Sequence, residues 1–142
     1  MINGRRVVVV EDGPTLTHGG MAYGAGIIAA RRFGARTIVD PTPQAVGSIC
    51  RTLAAYSALE PLVPAMGYSP QQVAELEQTL NAVEADVVLS GTPIDLGRLL
   101  KLNKPVVRVR YELVQTAGYP LGELLRPVRD QARKPLVTAG TR

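Results

Sequence analysis

The chain has 142 residues, with 16 Lys and Arg against 12 Asp and Glu, one His, one Cys and no Trp. That length suits one domain of ordinary size, about 100–150 residues, while a single Cys and a single His exclude a disulfide framework and a zinc knuckle. No apolar run nears the ~20 residues of a membrane span and the first residues lack a signal peptide's apolar stretch, so a soluble cytoplasmic protein is expected.

The elements alternate strand and helix. Arg6-Val7-Val8-Val9-Val10-Glu11 reads as a strand buried on both faces and bounded by Asp12-Gly13-Pro14. A small-residue helix is predicted from about Gly20 to Phe33. Its interior glycines cost roughly 1 kcal/mol each against Ala, which a helix accepts where its backbone lies close to a neighbour. Gly34 closes it in the left-handed conformation. Thr37-Ile38-Val39-Asp40 is the second strand.

Three later elements share one start signal, a hydroxyl residue followed by proline: Thr42-Pro43, Ser69-Pro70 and Thr92-Pro93. Ser69 with Gln72, and Thr92 with Asp95, also have capping-box spacing. The first of these helices carries Val46, Ile49, Cys50 and Leu53 on one face, so Cys50 reads as packing; the second carries Val73, Leu76, Leu80 and Val83. Leu62 to Gly67 is a short strand or an extended loop. Asp86 to Ser90 is a strand, Ile94 to Leu102 a short helix, Val106 to Glu112 the last strand, and Leu121 to about Gln131 a final helix. Residues 1–131 form a single domain in this reading, and 132–142 a mobile tail. The class is α/β: a mostly parallel open sheet of about five strands flanked by helices, a three-layer arrangement of Rossmann or P-loop NTPase type. Strand order is not readable.

Polar residues gather where the strands end, which is where ligands bind an open α/β sheet. Glu11-Asp12-Gly13 ends the first strand, Asp40-Pro41 the second, Ser90-Gly91-Thr92 the fourth, and Arg110-Tyr111-Glu112 the last. The richest segment runs from Glu11 to Met21. Thr17, His18, Gly19 and Gly20 stand there at an expected helix start, whose free N–H groups would bind phosphate or carboxylate. The plainer alternative is a loop in which Asp12 caps a turn and Thr17 caps the helix. Walker A spacing links Gly19 and Gly24, but Ala25-Gly26 replaces its Lys-Ser/Thr, and Asn103-Lys104 lacks the aspartate of a guanine-reading motif. Arg108 and Arg110 share one strand face, either as a solvated edge or as two forks for a bisphosphate. Thirteen of the basic residues are Arg, and the basic residues are spread along the chain with only six aromatics among them. Small acidic ligands therefore outrank nucleic acid.

Several of these strings together resemble cyclic 2,3-diphosphoglycerate synthetase. They are Val8 to Met21, Ile38-Val39-Asp40-Pro41, Ala45 to Ile49, Pro64 to Tyr68, Gly91 to Leu96 and Asn103 to Leu113, all in the family's order. The resemblance implies ATP-driven intramolecular phosphoanhydride formation on 2,3-bisphosphoglycerate, with magnesium, in a cytoplasmic P-loop enzyme. It also implies that this chain matches the C-terminal part alone, without the P-loop. The residues carried over are contacts: Thr17, His18, Gly19, Gly20, Arg108 and Arg110 for a phosphate, and Glu11, Asp12, Asp40, Thr92 and Asp95 for a nucleotide or magnesium. No metal set is assigned. The expected partners are a small phosphorylated metabolite and either a P-loop-containing chain or further copies of this one. The alternative is a non-catalytic phosphometabolite-binding or self-associating α/β module.

Overall fold

Four consecutive valines, Val7 to Val10, have no solvent exposure, and the rest of the fold is arranged to cover both of their faces. They lie in Arg6–Asp12 (β1), the central strand of a five-stranded parallel sheet. The structure is a computed structural model that describes residues 1–112 and 114–132. After β1 come Gly13–Gly19 (α1), Ala25–Arg32 (α2), Thr37–Ile38 (β2), a 3-10 turn at Thr42–Gln44, Gly47–Ala55 (α3) and Val63–Ala65 (β3). Pro70–Ala82 (α4), Val87–Ser90 (β4), Leu96–Leu99 (α5) and Val106–Arg108 (β5) follow.

The sheet order is β2-β1-β4-β5, with β3 also paired to β1. On one edge β1 matches Val7 to Val10 against Val87 to Ser90. Its other edge is shared, since β2 pairs at Arg6 and Val7 and β3 at Val10 to Asp12. Alternation along the strands then divides two cores. Val8, Val10, Val63 and Val88 pack with Ile49, Leu76, Leu80 and Leu96 from α3, α4 and α5. Val7, Val9, Val87 and Leu89 pack with Leu16, Ile27 and Ala30 from α1 and α2. Burying one such side chain is worth about 1.5–3 kcal/mol. The α/β architecture read from the sequence is the one observed.

Local signals succeeded where they were self-contained. Ser69 and Gln72 form the expected capping box at the start of α4, and Val73, Leu76, Leu80 and Val83 do face the core. Elsewhere the structure corrects the reading. The helix expected from Gly20 to Phe33 runs only from Ala25 to Arg32, and a separate helix, α1, occupies the preceding stretch expected as a loop. Asp12 accepts the Thr15 N–H and opens α1, and Gly20, at φ 61°, ends it by donating its N–H to the Leu16 carbonyl. Thr42-Pro43 opens only the 3-10 turn, and Gly47 starts α3. Thr92 and Asp95 make no capping box: the Thr92 hydroxyl donates to the Ile94 carbonyl, and α5 is a single turn. Cys50 is exposed, not packed. β2 and β5 end earlier than expected, although the Val39 and Val109 N–H groups still bond to the Val7 and Ser90 carbonyls.

At the amino ends of the strands, polar bonds tie neighbours together. The Arg6 N–H and guanidinium donate to Asp86 at 2.8 and 3.0 Å, joining β1 to β4. The Asn103 N–H donates to the Asn81 side-chain oxygen at 2.8 Å and its amide group to the Asn81 carbonyl at 3.0 Å, and the Lys104 ammonium donates to the Leu80 carbonyl at 2.7 Å. The Asn103-Lys104 pair therefore serves the end of α4.

Met1–Tyr111 forms one compact unit, and the residues from Glu112 onward a second. The second holds Leu121–Leu124 (α6) and Arg126–Ala132 (α7), divided at Leu125 where Pro127 cannot donate an N–H. The tail expected at 132–142 lies, but for Ala132, outside the described residues. No helix among the described residues is long and apolar enough to cross a membrane.

Two consequences are measurable. A Cβ at Gly26 would come within 2.6 Å of the Val9 side chain, so Gly26→Ala should lower stability by about 1–2 kcal/mol in denaturant melts, despite Ala's helix propensity. The Arg6 N–H, and then its guanidinium, hold the Asp86 carboxyl below the usual range. Its contribution is whole above the unfolded value of about 3.9 and is lost as pH falls through the lowered folded value. Asp86→Asn should flatten that acid limb in thermal melts.

Candidate functional site

Where strand order reverses in a parallel sheet, the chain leaves adjacent strand ends in opposite directions and a crevice opens beyond them. Here β2 and β3 lie on one edge of β1, and β4 with β5 on the other, so the reversal falls between β1 and β4. At that point Glu11 and Asp12 end β1 and Gly91 follows β4.

Glu11 is 2% exposed, and its Oε1 accepts the Ile27 N–H at 3.0 Å. The N-cap residue of α2, Gly24, has no side chain to cap it, so this carboxylate from the sheet occupies the helix start. Three glycines make room. A Cβ at Gly24 would lie 2.7 Å from Oε2, one at Gly26 2.9 Å from Oε1, and one at Gly91 would overlap Oε2. Burial pushes the Glu11 carboxyl above its ordinary range. N–H bonds from Ile27, Gly26 and Gly24 oppose that push, and the charge of Asp12 adds to it.

A cavity of about 270 Å³ opens beside this carboxylate. Glu11, Asp12, Thr15, Gly24, Gly91 and Tyr111 line it, together with Leu16, Met21, Ala25 and Pro93. Among the described residues its lining contains two carboxylates and no Lys, Arg or His. Of the residues expected at a site, the structure thus brings Glu11 and Asp12 together. Asp12 also bonds the Thr15 hydroxyl.

His18, Gly19 and Gly20 sit differently from expectation. They close α1, with His18 in the last turn and the Gly20 N–H already used. The helix-start rationale for an anion there fails, because this end of a helix presents carbonyls. Thr17 donates to the Gly13 carbonyl at 3.1 Å within the same helix. Asp40 is exposed and turns back onto the Thr42 N–H at 2.9 Å, at the β2 edge. The Arg108 guanidinium donates to the Pro93 carbonyl at 3.0 Å and faces Asp95 at 3.4 Å. It therefore does not stand free beside Arg110, which lies beyond the end of β5. Both arginines border a second, apolar groove of about 460 Å³ formed by Ile2, Ala29, Phe33, Leu89, Val107 and Val109.

Sequence reasoning chose neither Gly24, Gly91 and Tyr111 nor two hydroxyls on the other face as contacts, although Gly91 and Tyr111 stand in the strand-end segments it marked. Ser90 has no exposure, and its Oγ and the Tyr68 hydroxyl are buried without a hydrogen-bond partner among the described residues. Burial raises the Tyr68 hydroxyl above its usual range, with Thr92 beside it acting in the other direction. A polar residue ending an apolar strand is the only signal that marked Ser90. No group of three or more His, Cys, Asp or Glu side chains gathers to hold a metal ion among the described residues.

No family model matches the chain, and no solved structure does. The chain is similar to the arginine synthetase ArcE of Thermococcus kodakarensis, with 58% identity over 125 residues. That alignment takes in 88% of this chain and 28% of the relative, so the chain spans less than a third of the curated protein it matches. The relative's name agrees with the synthetase class that the family resemblance implied, and differs in the compound it names.

An unpaired buried hydroxyl costs about 1–3 kcal/mol. Ser90→Ala should accordingly leave stability unchanged or raise it by about 1 kcal/mol in urea titrations. A clear loss would show that the hydroxyl has a partner in the folded protein.

Proposed function

We propose that this chain forms part of a synthetase and that the crevice between the ends of β1 and β4 seats the donor-rich end of its substrate or product. Arginine, the compound in the relative's name, is the ligand this reading assigns. The observation that carries it is the lining of the crevice: Asp12 and Glu11 present carboxylates, and among the described residues no cation lines it with them. A guanidinium is a permanent cation with five N–H donors and no acceptor, so it suits paired carboxylates. A phosphate would be repelled there.

The chain's own contribution is binding and orientation. Asp12 supplies charge at the rim, the Thr15 hydroxyl supplies a polar contact, and Leu16 and Met21 narrow the space from α1 and the segment after it. ATP with magnesium, as the cyclic 2,3-diphosphoglycerate synthetase resemblance implies, would supply the phosphoryl activation. This sequence has no Walker A lysine, so in this proposal the nucleotide belongs to a P-loop part, in the same polypeptide or in a partner chain. No step is assigned here to nucleotide or metal.

A second reading follows Arg108. Its side chain is 37% exposed and its ion pair with Asp95 is long, so an anion can compete for it. This reading takes 2,3-bisphosphoglycerate as the ligand, either for ring closure to the cyclic phosphoanhydride or for simple binding by a non-catalytic module.

Calorimetric titration of the chain with L-arginine and, separately, with 2,3-bisphosphoglycerate separates the two. The first reading expects millimolar or tighter arginine binding that weakens about tenfold in Asp12→Asn, a change that preserves the cap of α1 because Asn caps as well as Asp. Binding of the bisphosphate alone, lost in Arg108→Ala, would replace the first reading with the second.

A further inference from the structure

Resting on the reading of the β1–β4 crevice as a ligand site, we propose that Glu11 is its specificity-determining residue. Oε2 accepts from a planar N–H cation of the guanidinium class, while Oε1 stays on α2.

The two oxygens of this carboxylate are in different surroundings. Oε1 is held by the Ile27 N–H at 3.0 Å, and the nearest Cβ position to it is that of Gly26, on the covered side of α2. Oε2 lies against Gly24 and Gly91, and both of those glycines line the cavity. Oε1 takes the Ile27 N–H, and the first turn of α2 needs a small residue at position 26. Glycine at 24 and at 91 does something further: a Cβ at either position would run into Oε2. The two glycines leave that oxygen room beside a cavity that Glu11 itself lines.

The rest of the wall narrows the ligand class. Asp12 places a second carboxylate on the same cavity, and Tyr111, 74% exposed, offers an aromatic face. Two carboxylates favour a cation with several N–H donors, and an aromatic face attracts a cation over its ring. A planar fork can donate to both acids at once, whereas a compact ammonium acts as a point charge. Anions meet only negative charge.

The test uses the full chain and three probes: methylguanidinium, methylammonium and inorganic phosphate. Calorimetry should show methylguanidinium binding, methylammonium binding more weakly, and phosphate not binding at millimolar concentration. Glu11→Gln keeps an oxygen for the Ile27 N–H but removes the charge, and should weaken methylguanidinium about tenfold or more. Gly91→Ala keeps the charge but covers Oε2, and should weaken it similarly. Thermal melts report folding of each variant. If neither methylguanidinium nor arginine binds the wild-type chain, the crevice reading falls and this assignment with it. If they bind, and folded Glu11→Gln binds within about twofold of wild type, the crevice stands and the assignment to Glu11 is overturned. Should Glu11→Gln fail to fold, Gly91→Ala decides by the same criterion.

Discussion

A carboxylate shut inside an α/β sheet must be paid for locally, and the Glu11 contact with the start of α2 is the settlement on which this architecture turns. An isolated buried carboxylate is too costly to keep charged, and an uncapped helix leaves N–H groups without partners. Joining them removes both defects, at the price of geometry. α2 must begin where β1 ends, its first turn must be glycine-rich, and β4 must leave the sheet through Gly91. The cavity at the strand ends is what that geometry leaves over.

The same solution recurs on the opposite face. The N-cap of α3, Val46, makes no side-chain cap, and Glu75 from α4 accepts the Ser48 N–H at 2.9 Å and its hydroxyl at 2.5 Å. Those bonds hold the Glu75 carboxyl below its ordinary range. Gly47, at φ 56°, gives the close approach, since a Cβ there would overlap the carboxylate. Of the three longest helices among the described residues, α4 alone caps itself. The other two take their caps from elements distant in sequence, so each cap is also a tertiary contact.

This division explains what could be read from the chain. The valine run of β1, the apolar β4 and the self-capped α4 carry their signals within a few residues, and each was legible. α1 was not, because Gly19, Gly20, Gly24 and Gly26 look alike until their partners are known. Gly20 ends a helix by its left-handed backbone, and Gly26 packs a helix onto Val9. Reading a loop up to a helix that begins near Gly20 put the anion-binding start at His18-Gly19-Gly20, which is a helix end. The true start, at Gly24 to Ile27, already has its anion. Glu11 and Asp12 stood out in sequence as acids closing a strand, yet Gly91 and Tyr111 reach the crevice only through the pairing of β4 with β1. The family-like strings pointed to a synthetase, and the relative's name agrees at that level.

The cross-ties at the amino ends of the strands have a mechanical meaning. Arg6 to Asp86, Asn103 to Asn81 and Lys104 to Leu80 lash β1, β4, β5 and α4 together at one end. At the other end β1 and β4 stay bonded as far as Gly91, whose N–H meets the Val10 carbonyl at 2.8 Å, and the cavity lies beyond that bond. The strands beneath it are thus tied at both ends. The cavity stands on a fixed floor, and its walls are built from the loops that leave that floor.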